Sequence, residues 1–144
     1  MTKLERKVNE FCVEGNLERY RTVLTEIFIE IQNSECRIST RDDGGPSIHE
    51  FQAETQCIIR IPVSKFKKDP IKAIWTILHE YGHHLSGSVT AAQLKSVVVI
   101  ERERKAWRHA RSFVVKHKML SKQLDDFDIY AKECLGSYLN SSNK

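Results

Sequence analysis

The chain has 144 residues, 23 Lys and Arg against 19 Asp and Glu, a formal net charge of +4 at pH 7, and 40% hydrophobic residues. That is ordinary globular chemistry for a single domain, residues 1–144, large enough to bury about two thirds of its unfolded surface. No apolar run of 18 residues and no charged-then-apolar leader is readable from Met1 to Asn16. This excludes a readable membrane span or secretory signal and makes a cytoplasmic location the expectation.

Leu4, Val8 and Phe11 predict a short first helix stopping near Gly15-Asn16. Asn16 is suited to cap a second helix, on which Leu17, Tyr20, Leu24, Ile27 and Ile31 recur at steps of three and four. Cys36–Arg41 and Cys57–Ile61 have strand-like composition and flank the turn cluster Asp42-Asp43-Gly44-Gly45-Pro46, which predicts a small antiparallel sheet. Asp69 is a good N-cap and Pro70 suits a first helical turn. Ile71, Ile74, Trp75, Leu78 and Leu85 then supply an apolar stripe, with Gly87 as a C′ residue. A long helical stretch follows between Thr90 and His117. Ser121 is placed to cap a last helix with Leu124, Phe127, Ala131, Leu135 and Tyr138 facing inward, and Asn140–Lys144 reads as a frayed tail. There is no internal repeat and no low-complexity linker.

Inside the third predicted helix lies His79-Glu80-Tyr81-Gly82-His83, an H-E-x-x-H pentapeptide. Residues four apart share a helix face, so His79 and His83 can direct imidazole nitrogens at one divalent ion, with Glu80 placed to take a proton from its water. His84 points about 100° away from His83 and is not expected to ligate the same ion. Catalytic zinc usually takes three protein ligands and keeps a fourth position for water. Glu101 and Glu103 both follow, but they differ by about 200° around a helix and cannot both face a metal. Val99, Ala106, Trp107, Ala110, Phe113 and Val114 mark the buried side. Glu103, one turn before Ala106 and Trp107, is therefore the better third ligand.

H-E-x-x-H followed by E-x-x-A-x-x-x-A, with Glu103 twenty positions after His83, resembles the glutamate-type zincin (gluzincin) metallopeptidases. The likeness is closest to the small ImmA/IrrE-like and minigluzincin group and covers about Ile58 to Val114. Trp107 and His109 depart from the asparagine and phenylalanine more usual in the ImmA/IrrE pattern. The resemblance implies an α+β, zincin-like fold: a small antiparallel or mixed sheet packed on the H-E-x-x-H helix and a glutamate helix, with further helices at both termini. It implies one Zn2+ held by His79, His83 and Glu103, Glu80 as general base, and Ala106 and Ala110 as small residues that let the two helices approach. It also suggests that Cys57–Ile61 either rims the cleft and pairs with an extended substrate or is simply a buried strand.

Peptide-bond hydrolysis is then the expected reaction, in a regulatory proteinase acting on a specific cytosolic protein. His109, His117, Tyr130 and Tyr138 are all available as the donor that helps the developing oxyanion. The alternative is a non-catalytic, metal-stabilised protein- or nucleic-acid-binding module on the same fold, although such a module has no need of a base beside a ligand. Arg102, Arg104, Lys105, Arg108, Arg111, Lys116, Lys118 and Lys122 crowd one helix and its exit. That is either a solvated face or a surface for an acidic partner, and without a nucleic-acid fold signature nucleic acid is not expected. Cys12, Cys36, Cys57 and Cys134 show no C-x-x-C spacing and read as reduced core thiols. Cys36 and Cys57 would pair only as neighbours across a hairpin in an exported protein.

Overall fold

The computed structural model describes residues 1–41, 48–53, 56–86 and 96–142. The architecture is α+β: six α-helices and three strands in the order α1, α2, β1, β2, β3, α3, α4, α5, α6 among these residues. The chain divides into two compact units, Met1–Tyr81 and Gly82–Lys144.

In the first unit, α1 (Lys3–Gly15) starts at Thr2, whose hydroxyl accepts the Glu5 N–H at 3.0 Å. Such a cap satisfies one of the orphan donors of a helix start. The helix stops at Asn16, which adopts the left-handed conformation with φ 58°. Asn16 therefore closes the first helix instead of opening the second. Asparagine tolerates this conformation better than most residues because its short amide can bond locally. A 3-10 turn, Glu18–Tyr20, leads into α2 (Arg21–Asn33). The stripe Leu17, Tyr20, Leu24, Ile27 and Ile31 is buried throughout, and Phe28 meets Phe11 of α1 edge to face with ring centroids 4.8 Å apart.

The sheet departs from the sequence expectation. Its strands are β1 (Cys36–Thr40), β2 (Ile48–Ala53) and β3 (Gln56–Ile61), in the spatial order β1-β3-β2. β1 and β3 run parallel, with Cys36 opposite Cys57 and Ile38 opposite Ile59. β2 pairs antiparallel with β3. The 36–41 and 57–61 segments are thus not the two arms of a hairpin. A strand that the sequence reading did not identify takes the antiparallel place, and with it between them in the chain the outer two segments run the same way. The turn cluster at Asp42–Pro46 lies outside the described residues.

With neighbours on both sides, β3 is the central strand. Cys57, Ile58, Ile59 and Ile61 are all buried, as expected of a strand covered on both faces. Both of its backbone edges are engaged, which removes it as an edge on which a substrate could pair. A Cys36–Cys57 disulfide joins β1 to β3 with the Cα atoms 4.9 Å apart, so these two cysteines are not reduced thiols. Cys12 and Cys134 are free. Burial raises the Cys12 pKa above the ordinary thiol value.

A 3-10 turn, Val63–Phe66, precedes α3 (Ile71–Ser86). The Asp69 and Pro70 carbonyls accept from the N–H groups of Lys72 and Ala73 at 3.0 Å each, starting the helix. Ile71, Ile74, Trp75 and Leu78 are buried, but Leu85 is 47% exposed, so the apolar stripe ends before the helix does. Gly87 lies outside the described residues.

The second unit comprises the end of α3 and three helices: α4 (Ser96–Lys116), α5 (Lys118–Ser121) and α6 (Leu124–Ser142). α4 buries Glu103, Ala106, Trp107, Ala110 and Val114, while Val99 and Phe113 are half-buried. On α6, Phe127 and Ala131 are buried, Leu124 and Leu135 are half-buried, and the Tyr138 side chain lies outside the description. Trp107 meets the rings of Phe127 and Tyr130 edge-on, each at 5.8 Å between centroids. Ser121 does not cap α6. It ends α5 and donates to the Lys118 carbonyl at 3.2 Å. The helix α6 also runs further than the frayed tail predicted at Asn140, to Ser142. No helix among the described residues is long and apolar enough to cross a membrane.

Candidate metal centre

His79 and His83 lie on the continuous helix α3, where a separation of four residues stacks side chains on one face. Each imidazole is 12% exposed. His79 lies in the body of the helix and His83 in its last turn, not mid-helix as the sequence suggests, and the helical backbone between them sets the spacing of the two rings. Glu80 is buried, 6% exposed, and its Oε1 is 3.5 Å from His79 Nδ1.

Glu103 enters from α4. It is 5% exposed, and its Oε1 is 2.8 Å from His83 Nε2, the short range of a charge-assisted hydrogen bond. Glu101, two residues earlier, is exposed and accepts from Arg104 Nη1 at 2.9 Å. A buried carboxylate is costly unless partnered, and His83 is a partner of Glu103. Among the described residues, His79, His83 and Glu103 make up a candidate metal-binding group. Two imidazoles and one carboxylate are a donor set that suits zinc with a position left open. Cys36 and Cys57 cannot serve as thiolate ligands while their sulfurs are joined. His84 is half-buried.

The close approach of α3 and α4 rests on a residue that the sequence reading passed over. A Cβ built on Gly82 would lie 2.9 Å from the Cα of Ala106 and would overlap its carbonyl oxygen. Only glycine permits this approach, and Ala106, fully buried, is the small residue facing it. The signal was present: a glycine inside a helix costs about 1 kcal/mol relative to alanine, so its presence asks for a packing reason. Ser86 donates to the Gly82 carbonyl at 2.8 Å and bonds back into the same turn.

Tyr81, the other unspecified residue of the pentapeptide, works within the first unit. Its hydroxyl donates to a Glu30 carboxylate oxygen of α2 at a long 3.5 Å. Burial, first, and the neighbouring Glu30 charge raise its pKa, against a lowering contribution from Ser34.

The four residues named as oxyanion donors separate. His117 stacks on Phe113, some fourteen residues beyond Glu103, or about 21 Å at helical rise. His109 is about 9 Å along α4 and turned about 120° from Glu103. Tyr130 packs edge-on against Trp107, one turn beyond Glu103. Tyr138 falls among the side chains not described. The exposed cations of α4, Arg104, Lys105, Arg108, Arg111 and Lys116, are turned by about 80–160° from Glu103, and the nearest in angle, Arg111, pairs with Asp128.

No family model, no curated protein and no solved structure matches this chain.

Proposed function

We propose that the protein is a zinc-dependent metallopeptidase in which His79, His83 and Glu103 hold the ion and Glu80 is the general base. The observation that carries this reading is the 2.8 Å contact between His83 and the buried Glu103. It places a carboxylate from a separate helix against the second histidine of the H-E-x-x-H pentapeptide. A zinc ion bound there supplies a Lewis acid for a substrate carbonyl and brings the pKa of a water towards 7. Glu80, adjacent to the first histidine, accepts that proton and passes it to the leaving amine. Its burial keeps the carboxylate from spending its acceptor capacity on bulk water. His83 Nε2 and Glu103 Oε1, the two atoms that face each other, are those that would hold the ion, and Gly82 lets the α4 backbone come close.

The test combines metal analysis with proteolysis. Gently purified full-length protein is expected to hold about one zinc per chain and to cleave members of a mixed peptide library. Glu80→Gln should keep the metal and lose activity by about 100- to 10,000-fold, the usual worth of a positioned acid–base group. Stoichiometric zinc without Glu80-dependent cleavage would instead assign a metal-stabilised binding module. Absence of metal, together with stability unchanged by a chelator, would sink both readings.

A further inference from the structure

Cys36 and Cys57 face each other in the parallel register of β1 and β3, both buried and with their sulfurs joined. His84, in the last turn of α3, supplies a third donor. One ligand atom from each of the three residues lies within 4.8 Å of the other two, which makes them another metal-binding group among the described residues. The helix explains the placement. Tyr81, one turn earlier on α3, reaches Glu30 near the end of α2, and α2 leads directly into β1. A rotation of about 100° from His83 keeps His84 out of the centre of His79, His83 and Glu103. Zinc at about 2.3 Å from sulfur and about 2.0 Å from an imidazole nitrogen, with tetrahedral angles, holds such donors about 3.5–3.8 Å apart. Cysteine Cα atoms 4.9 Å apart and donors within 4.8 Å are therefore within the span of one ion.

We propose that Cys36, Cys57 and His84 form a second zinc site, available only when the disulfide is reduced. Thiolates are the metal ligands that cysteine offers, and joined sulfurs carry no thiolate charge. A dithiol opens the site by exchange. One of its thiolates attacks a cysteine sulfur, the S–S bond breaks and a mixed disulfide forms. The reductant's second thiolate then displaces the protein sulfur and leaves as a closed disulfide. The dithiol is oxidised, and two electrons and two protons pass to the cysteines. Binding of Zn2+ releases those two protons to solvent and sets two thiolates and a neutral imidazole on the ion. Cys36 lines a cavity of about 360 Å³ between α1, α2 and the sheet, which gives the reductant a path to the buried pair, and His84 is half-buried, which gives the ion access. Ligand chemistry separates the two centres. The set of His79, His83 and Glu103 is indifferent to redox state, whereas the softer set with two sulfurs exists only in reducing surroundings. They share no ligand, so each proposal stands without the other.

The test compares the oxidised full chain with the same chain reduced by a dithiol and desalted without air. Both are titrated with Co2+, a spectroscopic stand-in for zinc, and with Zn2+ itself. Reduced protein is expected to take up about one more ion per chain than oxidised protein and to show the near-ultraviolet charge-transfer band of cobalt bound to thiolate. Oxidised protein should lack that band. His84→Ala, at a half-buried position where the fold is least at risk, should weaken the additional ion by at least about 100-fold, since even outer-shell partners of ligands are worth about 10- to 100-fold. Cys36→Ser together with Cys57→Ser should remove the additional ion and the band, which excludes Cys12 and Cys134 as their source. Glu103→Ala should lose the other ion and keep the band, so that failure of the proposed catalytic centre is told apart from failure of this one. No additional ion on reduction, unchanged affinity in His84→Ala, a band that survives loss of both cysteines, or a reduced chain that loses its helical circular dichroism before metal is added would each overturn the proposal.

Discussion

Glu101 and Glu103 are the same residue type, two positions apart on α4, and they meet opposite environments. Glu101 is exposed and pairs with Arg104 one turn away. Glu103 is buried beside Ala106 and Trp107 and lies against His83 of another helix. A rotation of about 200° separates a solvated partner from a committed one. The energetic consequences differ accordingly. An exposed ion pair is worth about 0–1 kcal/mol and is screened by salt, whereas breaking a buried pair leaves an uncompensated group and costs several times more. Charge on a helix is therefore informative only once its face is known.

The sharpest way to break this comparison is to measure zinc affinity in two variants. Glu103→Ala should weaken binding by at least about 100-fold, since even outer-shell partners of ligands are worth about 10- to 100-fold. Glu101→Ala should leave affinity essentially unchanged, and a reversed result would show that the wrong face had been assigned. Next in size is Gly82→Ala. At an ordinary helix interior this exchange stabilises by about 0.5–1 kcal/mol. Here the added Cβ meets the Ala106 backbone, and a loss of about 1–3 kcal/mol is expected, the range for overpacking. Urea unfolding reads the sign directly, and a gain would mean that the helices are not held at this distance.

Smaller effects test the exposed side. Arg111 donates to both carboxylate oxygens of Asp128, at 2.9 and 3.2 Å, with both side chains nearly half exposed. Arg111→Ala should cost less than about 1 kcal/mol, and high salt should erase most of the difference. A larger, salt-insensitive loss would show that packing of the arginine stem dominates.

The smallest expected effects are in pH dependence. The Arg21 hydrogen bond holds the Glu18 carboxyl below its ordinary value. Its contribution is present above the unfolded pKa, 4.5, and is lost as pH falls through the lower folded value. Tyr81 has the opposite sign, because its folded pKa is raised from 10.0. The stability it contributes is present below pH 10 and declines as pH rises beyond it. Denaturation midpoints of Tyr81→Phe against native protein between pH 8 and 11 should converge with increasing alkalinity. Parallel curves would assign the effect to other groups.

Much of the candidate site was legible because it depends on short-range spacing. A four-residue separation places His79 and His83 on one face of any α-helix, whatever surrounds it. The apolar positions of α4 likewise point the Glu103 side chain inward without knowledge of its partner. Helix ends were less legible. Asn16 and Ser121 both have side chains able to cap a helix start, yet Asn16 closes α1 in a left-handed conformation and Ser121 bonds back into α5. The same polar group can satisfy either end of a helix, and the chain direction after it decides which.

The sequence by itself determined which residues share a helix face, and through that the ligand spacing of His79 and His83 and the inward direction of Glu103. Only the tertiary structure decided how the strands pair. Alternation and composition mark a segment as extended but do not say which neighbour it takes or in which direction. Hence β2 went unread, the parallel pairing of β1 with β3 was missed, and so was the central position that denies β3 a free edge. The Cys36–Cys57 bond follows from the same register, since it places residues 21 apart in sequence opposite each other. The necessity of Gly82 is also tertiary. Its missing side chain is a cost within its own helix and becomes an advantage only where the backbone of Ala106 passes close by.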